Sequence, residues 1–132
     1  RAMLKHGVNP STAKIAVLGL AFRGDVDDTR ESPTYGIIST LLRLGIRPEQ
    51  IVVHDPYVKQ DRQLARWGVA LLQDLEASVK NADVAVVSTD HSAYRIEVAK
   101  ITAHMRTPLV IDARGVVKPD PATYSIDLGR WP

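Results

Sequence analysis

Apolar residues in this chain fall into short unbroken runs, separated by stretches in which they recur at helical spacing. Lys14–Leu20, Gln50–His54, Val69–Leu72, Asp83–Ser88 and Leu109–Asp112 are each built on an unbroken apolar stretch, and Tyr124–Leu128 is a candidate sixth. Continuous rather than alternating apolarity predicts strands buried on both faces, as in a parallel sheet. Between them, Pro33–Leu44 places Ile37, Ile38, Leu41, Leu42 and Leu44 at helical intervals, with Ser32 as N-cap, Pro33 in the first turn and Gly45 as terminator. Residues 59–67 predict a short helix with Leu64, Ala65 and Trp67 inward. Asp74–Lys80 predicts another, with charges that suit the helix dipole. A fourth helix is predicted over Ala93–Met105. Residues 1–13 read as the end of a linker helix, closed by Gly7 and broken at Asn9–Pro10–Ser11, and residues 14–132 as the domain proper.

Strands alternating with helices through short connections predict an α/β fold: a doubly wound, mostly parallel Rossmann-like sheet with helices on both faces.

Composition narrows the chemistry. The chain has 132 residues, 45% of them hydrophobic and 24% charged, which fits one soluble domain with a core. There is no cysteine, which excludes disulfides, thiolate metal sites and a cysteine nucleophile within this chain. Seventeen basic against fifteen acidic residues give a net charge of +2 with no basic stripe, so nucleic acid is not an expected partner. No run is long enough for a membrane span and no leader-like apolar segment is visible, so neither a membrane partner nor export is expected and a cytoplasmic location is. The chain opens on Arg1, within what reads as the tail of a helix, so a piece of a longer polypeptide is expected.

In sheets of this kind ligands bind beyond the carboxyl ends of the strands. The loop after the first strand, Gly19–Pro33, lacks the G-x-G-x-x-G spacing of a dinucleotide cradle: Gly19 and Gly24 are five apart with Phe22 between them. It carries instead Arg23 and Arg30 among Asp25, Asp27, Asp28 and Glu31. Two readings stay open, a self-paired surface loop and a site where arginine forks meet phosphate at a helix N-terminus. After the fifth strand, Asp112–Ala113–Arg114–Gly115 is equally open, between an Asp112–Arg114 brace and a second basic contact to the same anion.

Several other features favour packing over chemistry. His6, His54, His91 and His104 lack ligand spacing, so no metal site is expected. Asp25, Asp27 and Asp28 lack the later glycine and glutamate of a calcium loop. Asp90–His91–Ser92 lacks a nucleophile elbow. Asp55, at a strand end, stands where an acidic residue reads ribose in a Rossmann fold, but without the glycine fingerprint. Trp67 and Trp131 read as packing residues.

At Lys14–Pro33 the sequence resembles the UDP-glucose/GDP-mannose dehydrogenase family, at the start of its C-terminal UDP-binding domain. The carrying residues are Gly19, Ala21, Phe22, Asp28, Arg30, Glu31, Ser32 and Pro33, with further landmarks at Val53–Pro56, Asn81–Val87 and Val110–Arg114. The resemblance implies a nucleotide-sugar-binding domain of an enzyme that oxidises the sugar C6 alcohol to a carboxylate with two NAD+ in succession. NAD would be held mainly by an N-terminal domain, and a central helical segment would form a homodimer, both outside this chain. The family's catalytic cysteine also lies outside it, so no catalytic residue is expected here and the chain alone is expected to be inactive. Carried over by position, Phe22 and Arg114 contact the nucleotide sugar, Arg30 contacts NAD, and Arg23 stands where the family usually has a sugar-binding lysine. The alternative is a stand-alone Rossmann-like ligand-sensing module without catalysis.

Overall fold

The computed structural model describes residues 7–96 and 98–118 and the backbone of 124–127. Six strands form one sheet: β1 (Ile15–Leu18), β2 (Ile51–His54), β3 (Ala70–Leu72), β4 (Val84–Val87), β5 (Leu109–Asp112) and β6 (Tyr124–Asp127). Their order is β3-β2-β1-β4-β5-β6, and every neighbouring pair is parallel. This is the doubly wound order, with its topological switch point between β1 and β4. Leu18 is in register with His54 and Val87, and Val87 with Asp112, so the loops that follow these strands all leave from one edge.

Four α-helices are described: α1 (Pro33–Arg43), α2 (Arg62–Trp67), α3 (Leu75–Val79) and α4 (Val98–Thr102). Single turns of 3₁₀ helix lie at Pro48–Gln50 and Ser92–Tyr94. Successive side chains of a strand point to opposite faces, and each face has its own core. Ile15 and Val17 pack with Ile38, Ile51, Val53 and Leu64 on one side. Ala16 and Leu18 pack with Val79, Ala85, Val87, Tyr94 and Ile101 on the other.

Local departures from the sequence pattern have local causes. The expected helix over Ala93–Met105 is a 3₁₀ turn followed by the shorter α4. Its break frees backbone around Ile96 and Val98 to pair with Lys118: the Lys118 N–H bonds the Ile96 carbonyl, and the Val98 N–H bonds the Lys118 carbonyl. Leu44 and Ala65, expected inward, are exposed, because α1 ends before Leu44 and α2 buries Leu64 alone. The linker helix expected before Gly7 lies outside the described residues; from Asn9 to Ala13 the chain is a turn closed on the Asn9 carbonyl.

At the amino edge of the sheet Asp83 is the organising group. It accepts the Lys14 N–H, the Thr107 hydroxyl and both sides of the Arg106 guanidinium. The Arg106 bonds outweigh burial and bring the Asp83 carboxyl down to about 2.

Candidate functional site

The site is built from the loops after β1, β2, β4 and β5. Gly19 ends β1 in a left-handed conformation (φ 111°), and a Cβ there would lie 2.3 Å from the Thr89 side chain. Its carbonyl accepts the Thr34 hydroxyl at 2.7 Å, and Thr34 also meets the Ser88 hydroxyl at 2.7 Å. The N-terminus of α1, capped by Ser32, is thereby fixed to the switch point.

Asp55 follows β2 and is wholly buried. Its Oδ2 accepts the Leu20 and Ala21 N–H groups at 2.8 and 2.9 Å and stands 2.8 Å from His91 Nε2. Its Oδ1 accepts the Tyr57 and Val58 N–H groups. Burial pushes this carboxyl up, but the bonds from His91 and the backbone outweigh it and bring it to about 2. His91, also wholly buried, accepts the Asp25 N–H at Nδ1 (2.8 Å). An imidazole that accepts at Nδ1 carries its proton on Nε2 and donates it to Asp55.

A second buried bridge runs alongside. His54 Nδ1 lies 2.7 Å from the Tyr94 hydroxyl, and burial pushes the His54 pKa down and the Tyr94 pKa up.

These bonds answer the question of dinucleotide binding within this chain. The Asp55 carboxylate is engaged by its own main chain and His91, so it is not offered to a ribose, and the glycine fingerprint is missing. The switch point does not fit an NAD cradle.

The candidate residues stand on the rim above this buried layer. Phe22 is about half exposed, and Arg23 is exposed beside it, close enough for its charge to help lower the Asp28 carboxyl. Arg30 is exposed and forks onto Asp28, its Nη2 at 2.7 Å from Oδ2. The self-paired reading therefore describes Arg30 and Asp28. Phe22, Asp28, Arg30 and Glu31 line a groove of about 340 Å³. A larger one of about 620 Å³, floored by Tyr35 and Trp67, begins at Arg30.

The guanidinium of Arg114 is not braced by Asp112. Asp112 accepts the Arg114, Gly115 and Val117 N–H groups, capping the loop backbone, and the Arg114 guanidinium instead faces Asp90 at 3.6 Å. Asp90 Oδ1 also accepts the Gly24 N–H at 2.6 Å. A chain of contacts thus joins the residue after Arg23 to Arg114, from the β1 loop to the β5 loop. Arg23 and Arg114 line neither groove. Asp90 and His91 were visible in the sequence only as parts of a failed triad; their spacing from the β1 loop gave no sign of this role.

Among the described residues no group of three or more acidic or histidine side chains is placed to hold a metal ion, and no helix is long and apolar enough to cross a membrane.

The all-parallel sheet, its strand order and a rim of arginines at the carboxyl ends define a Rossmann-like α/β domain. Residues 16–119 match the model of the UDP-glucose/GDP-mannose dehydrogenase family, UDP binding domain, and the chain belongs to that family. It is 33% identical over 124 residues to UDP-N-acetyl-D-mannosamine dehydrogenase of Pyrococcus horikoshii, covering 93% of this chain and 27% of that protein. It is 29% identical over 109 residues to UDP-glucose 6-dehydrogenase of Rhizobium meliloti, covering 82% of this chain and 24% of that one. A solved structure of the Pyrococcus horikoshii UDP-N-acetylmannosamine dehydrogenase superposes with a TM-score of 0.77 at 34% identity, over 98% of this chain and 28% of that one. The chain spans about a quarter of the length of these relatives.

Proposed function

We propose that this chain is the C-terminal nucleotide-sugar-binding domain of an NAD-dependent dehydrogenase that oxidises the C6 alcohol of a UDP-sugar, UDP-glucose or UDP-N-acetylmannosamine, to the uronate. NAD and the catalytic cysteine belong to the N-terminal and central portions of the enzyme, a homodimer, and residues 1–132 alone turn over no substrate. The observation that carries this reading is the Gly24–Asp90–Arg114 chain, which ties the Phe22–Arg23 segment to Arg114 on one rim. In this reading Arg23 on the β1 loop and Arg114 on the β5 loop, with the β4 loop between them, grip a nucleotide sugar and meet the charge of its diphosphate, and Phe22 covers the sugar. Arg30 faces the cofactor side and exchanges Asp28 for it when the domains close. The work of such a domain is positioning: it holds C6 against the oxidant and excludes water as the enzyme closes.

Calorimetry on this chain tests the reading. UDP and UDP-sugars are expected to bind weakly and NAD+ not at all, because the rest of each site lies elsewhere. Arg114→Ala is expected to weaken UDP binding; an undiminished affinity removes Arg114 from the site.

A further inference from the structure

Phe22 and Arg23 are bracketed. The amides of Leu20 and Ala21, just before them, are held by Asp55. The amides of Gly24 and Asp25, just after them, are held by Asp90 and His91. Between these anchors the Phe22 N–H bonds the Asp28 carbonyl at 2.6 Å. His91 is the member that joins both ends: its Nε2 faces the carboxylate that holds Leu20 and Ala21, and its Nδ1 holds Asp25.

We infer that His91 is a positioning residue for nucleotide-sugar binding, acting through the Asp25 amide to fix the loop that presents Phe22 and Arg23. The inference rests on the function proposed above. Three observations carry it. A wholly buried imidazole is a costly choice where an apolar residue would fill the space, unless both nitrogens are used. Here both are used, and one is spent on the amide of an exposed loop rather than on the core. Asp25 itself has a left-handed backbone (φ 60°), which persists only where its surroundings enforce it. His91 and its neighbour Ser92 do so together, Ser92 through its N–H (2.9 Å) and its hydroxyl, both given to the Asp25 carboxylate. Tyr57, whose ring lies 5.2 Å from that of His91, adds a longer bond from its hydroxyl to the same carboxylate at 3.4 Å.

Two amide substitutions separate positioning from packing. Asparagine retains an acceptor where Nδ1 stands, and glutamine retains a donor where Nε2 stands. If His91 positions the loop, His91→Gln speeds hydrogen exchange at the Asp25 amide and weakens UDP binding about tenfold, while His91→Asn keeps affinity within about twofold of the unaltered chain, as loss or retention of one hydrogen bond implies. Equal losses in the two variants, or the reverse order, overturn the inference, because a residue that merely fills space or supports Asp55 gives those results. In the unaltered chain, ¹⁵N shifts of the His91 ring must show the Nε2–H tautomer; an Nδ1–H ring overturns the inference even if both variants fail to fold. An unaltered chain that binds no UDP overturns the proposed function instead, and Asp25 exchange then judges His91 alone.

Discussion

Gly24 passes so close to Asp90 that a Cβ on Gly24 would stand 2.2 Å from the Asp90 carbonyl oxygen. The Gly24 N–H bonds the side chain of the same residue. Glycine is therefore required here by contact rather than by backbone angle. Gly24→Ala is expected to push the β1 loop away from the β4 loop, at a cost of about 1–3 kcal/mol in stability. UDP affinity should fall with it, because the link to Arg114 passes through this contact. Urea unfolding and calorimetry on the same variant check both outcomes.

Arg23→Lys should act on the sugar rather than on the fold. Arg23 is exposed, and surface charges of this kind contribute little to stability. In the full-length enzyme the change is expected to alter KM and the preference among UDP-sugars, followed by NADH formation. A shift in melting temperature with no change in sugar preference would assign Arg23 to the fold instead.

Acid should weaken the stability of the domain in two pH windows. Burial holds the His54 pKa below its ordinary 6.5, so His54 stabilises the fold fully above about pH 6.5 and progressively less as the pH falls below it. Asp55 is held at about 2 in the fold against an ordinary value of 3.8. Its contribution, about 2 kcal/mol, is present above pH 4 and disappears as the pH falls toward 2. Urea midpoints at pH 7, 5 and 3 check the profile, and Asp55→Asn should flatten the lower window.

Asp83→Ala separates stability from binding. Asp83 lies at the amino edge of the sheet, away from the strand-end loops, and its loss frees the Lys14 amide and the Arg106 fork. A cost of about 1–3 kcal/mol is expected in urea unfolding, as for other groups left without a hydrogen-bond partner. UDP affinity measured on the folded variant should be unchanged.

The sheet was legible because its signal is repetitive. Ile15–Leu18, Ile51–Val53 and Val84–Val87 are apolar at every position, and only strands covered on both faces need that. The α1 boundaries followed from Ser32, Pro33 and Gly45 for equally local reasons. What escaped was long-range. The missing glycines already spoke against a ribose role for Asp55, but nothing in the sequence showed that it holds the Leu20 and Ala21 amides instead. Arg114 and Asp112 are two residues apart in sequence, yet the guanidinium faces Asp90. His91 meets Asp25 across a separation of 66 residues, which no periodicity encodes. In the region 93–105 helical spacing was a poor guide, because backbone pairing with Lys118 competed for the same groups.

The Asp55–His91 pair reaches from β2 to the β4 loop across the end of β1, closing from within the crevice that dinucleotide-binding sheets of this order leave open. On the proposed function, what this domain holds then lies along the rim beside the grooves at Phe22 and Arg30 rather than sunk between the strand-end loops. If the rest of the proposed enzyme closes over that rim, tight grip belongs to the pair of surfaces and easy release to their parting.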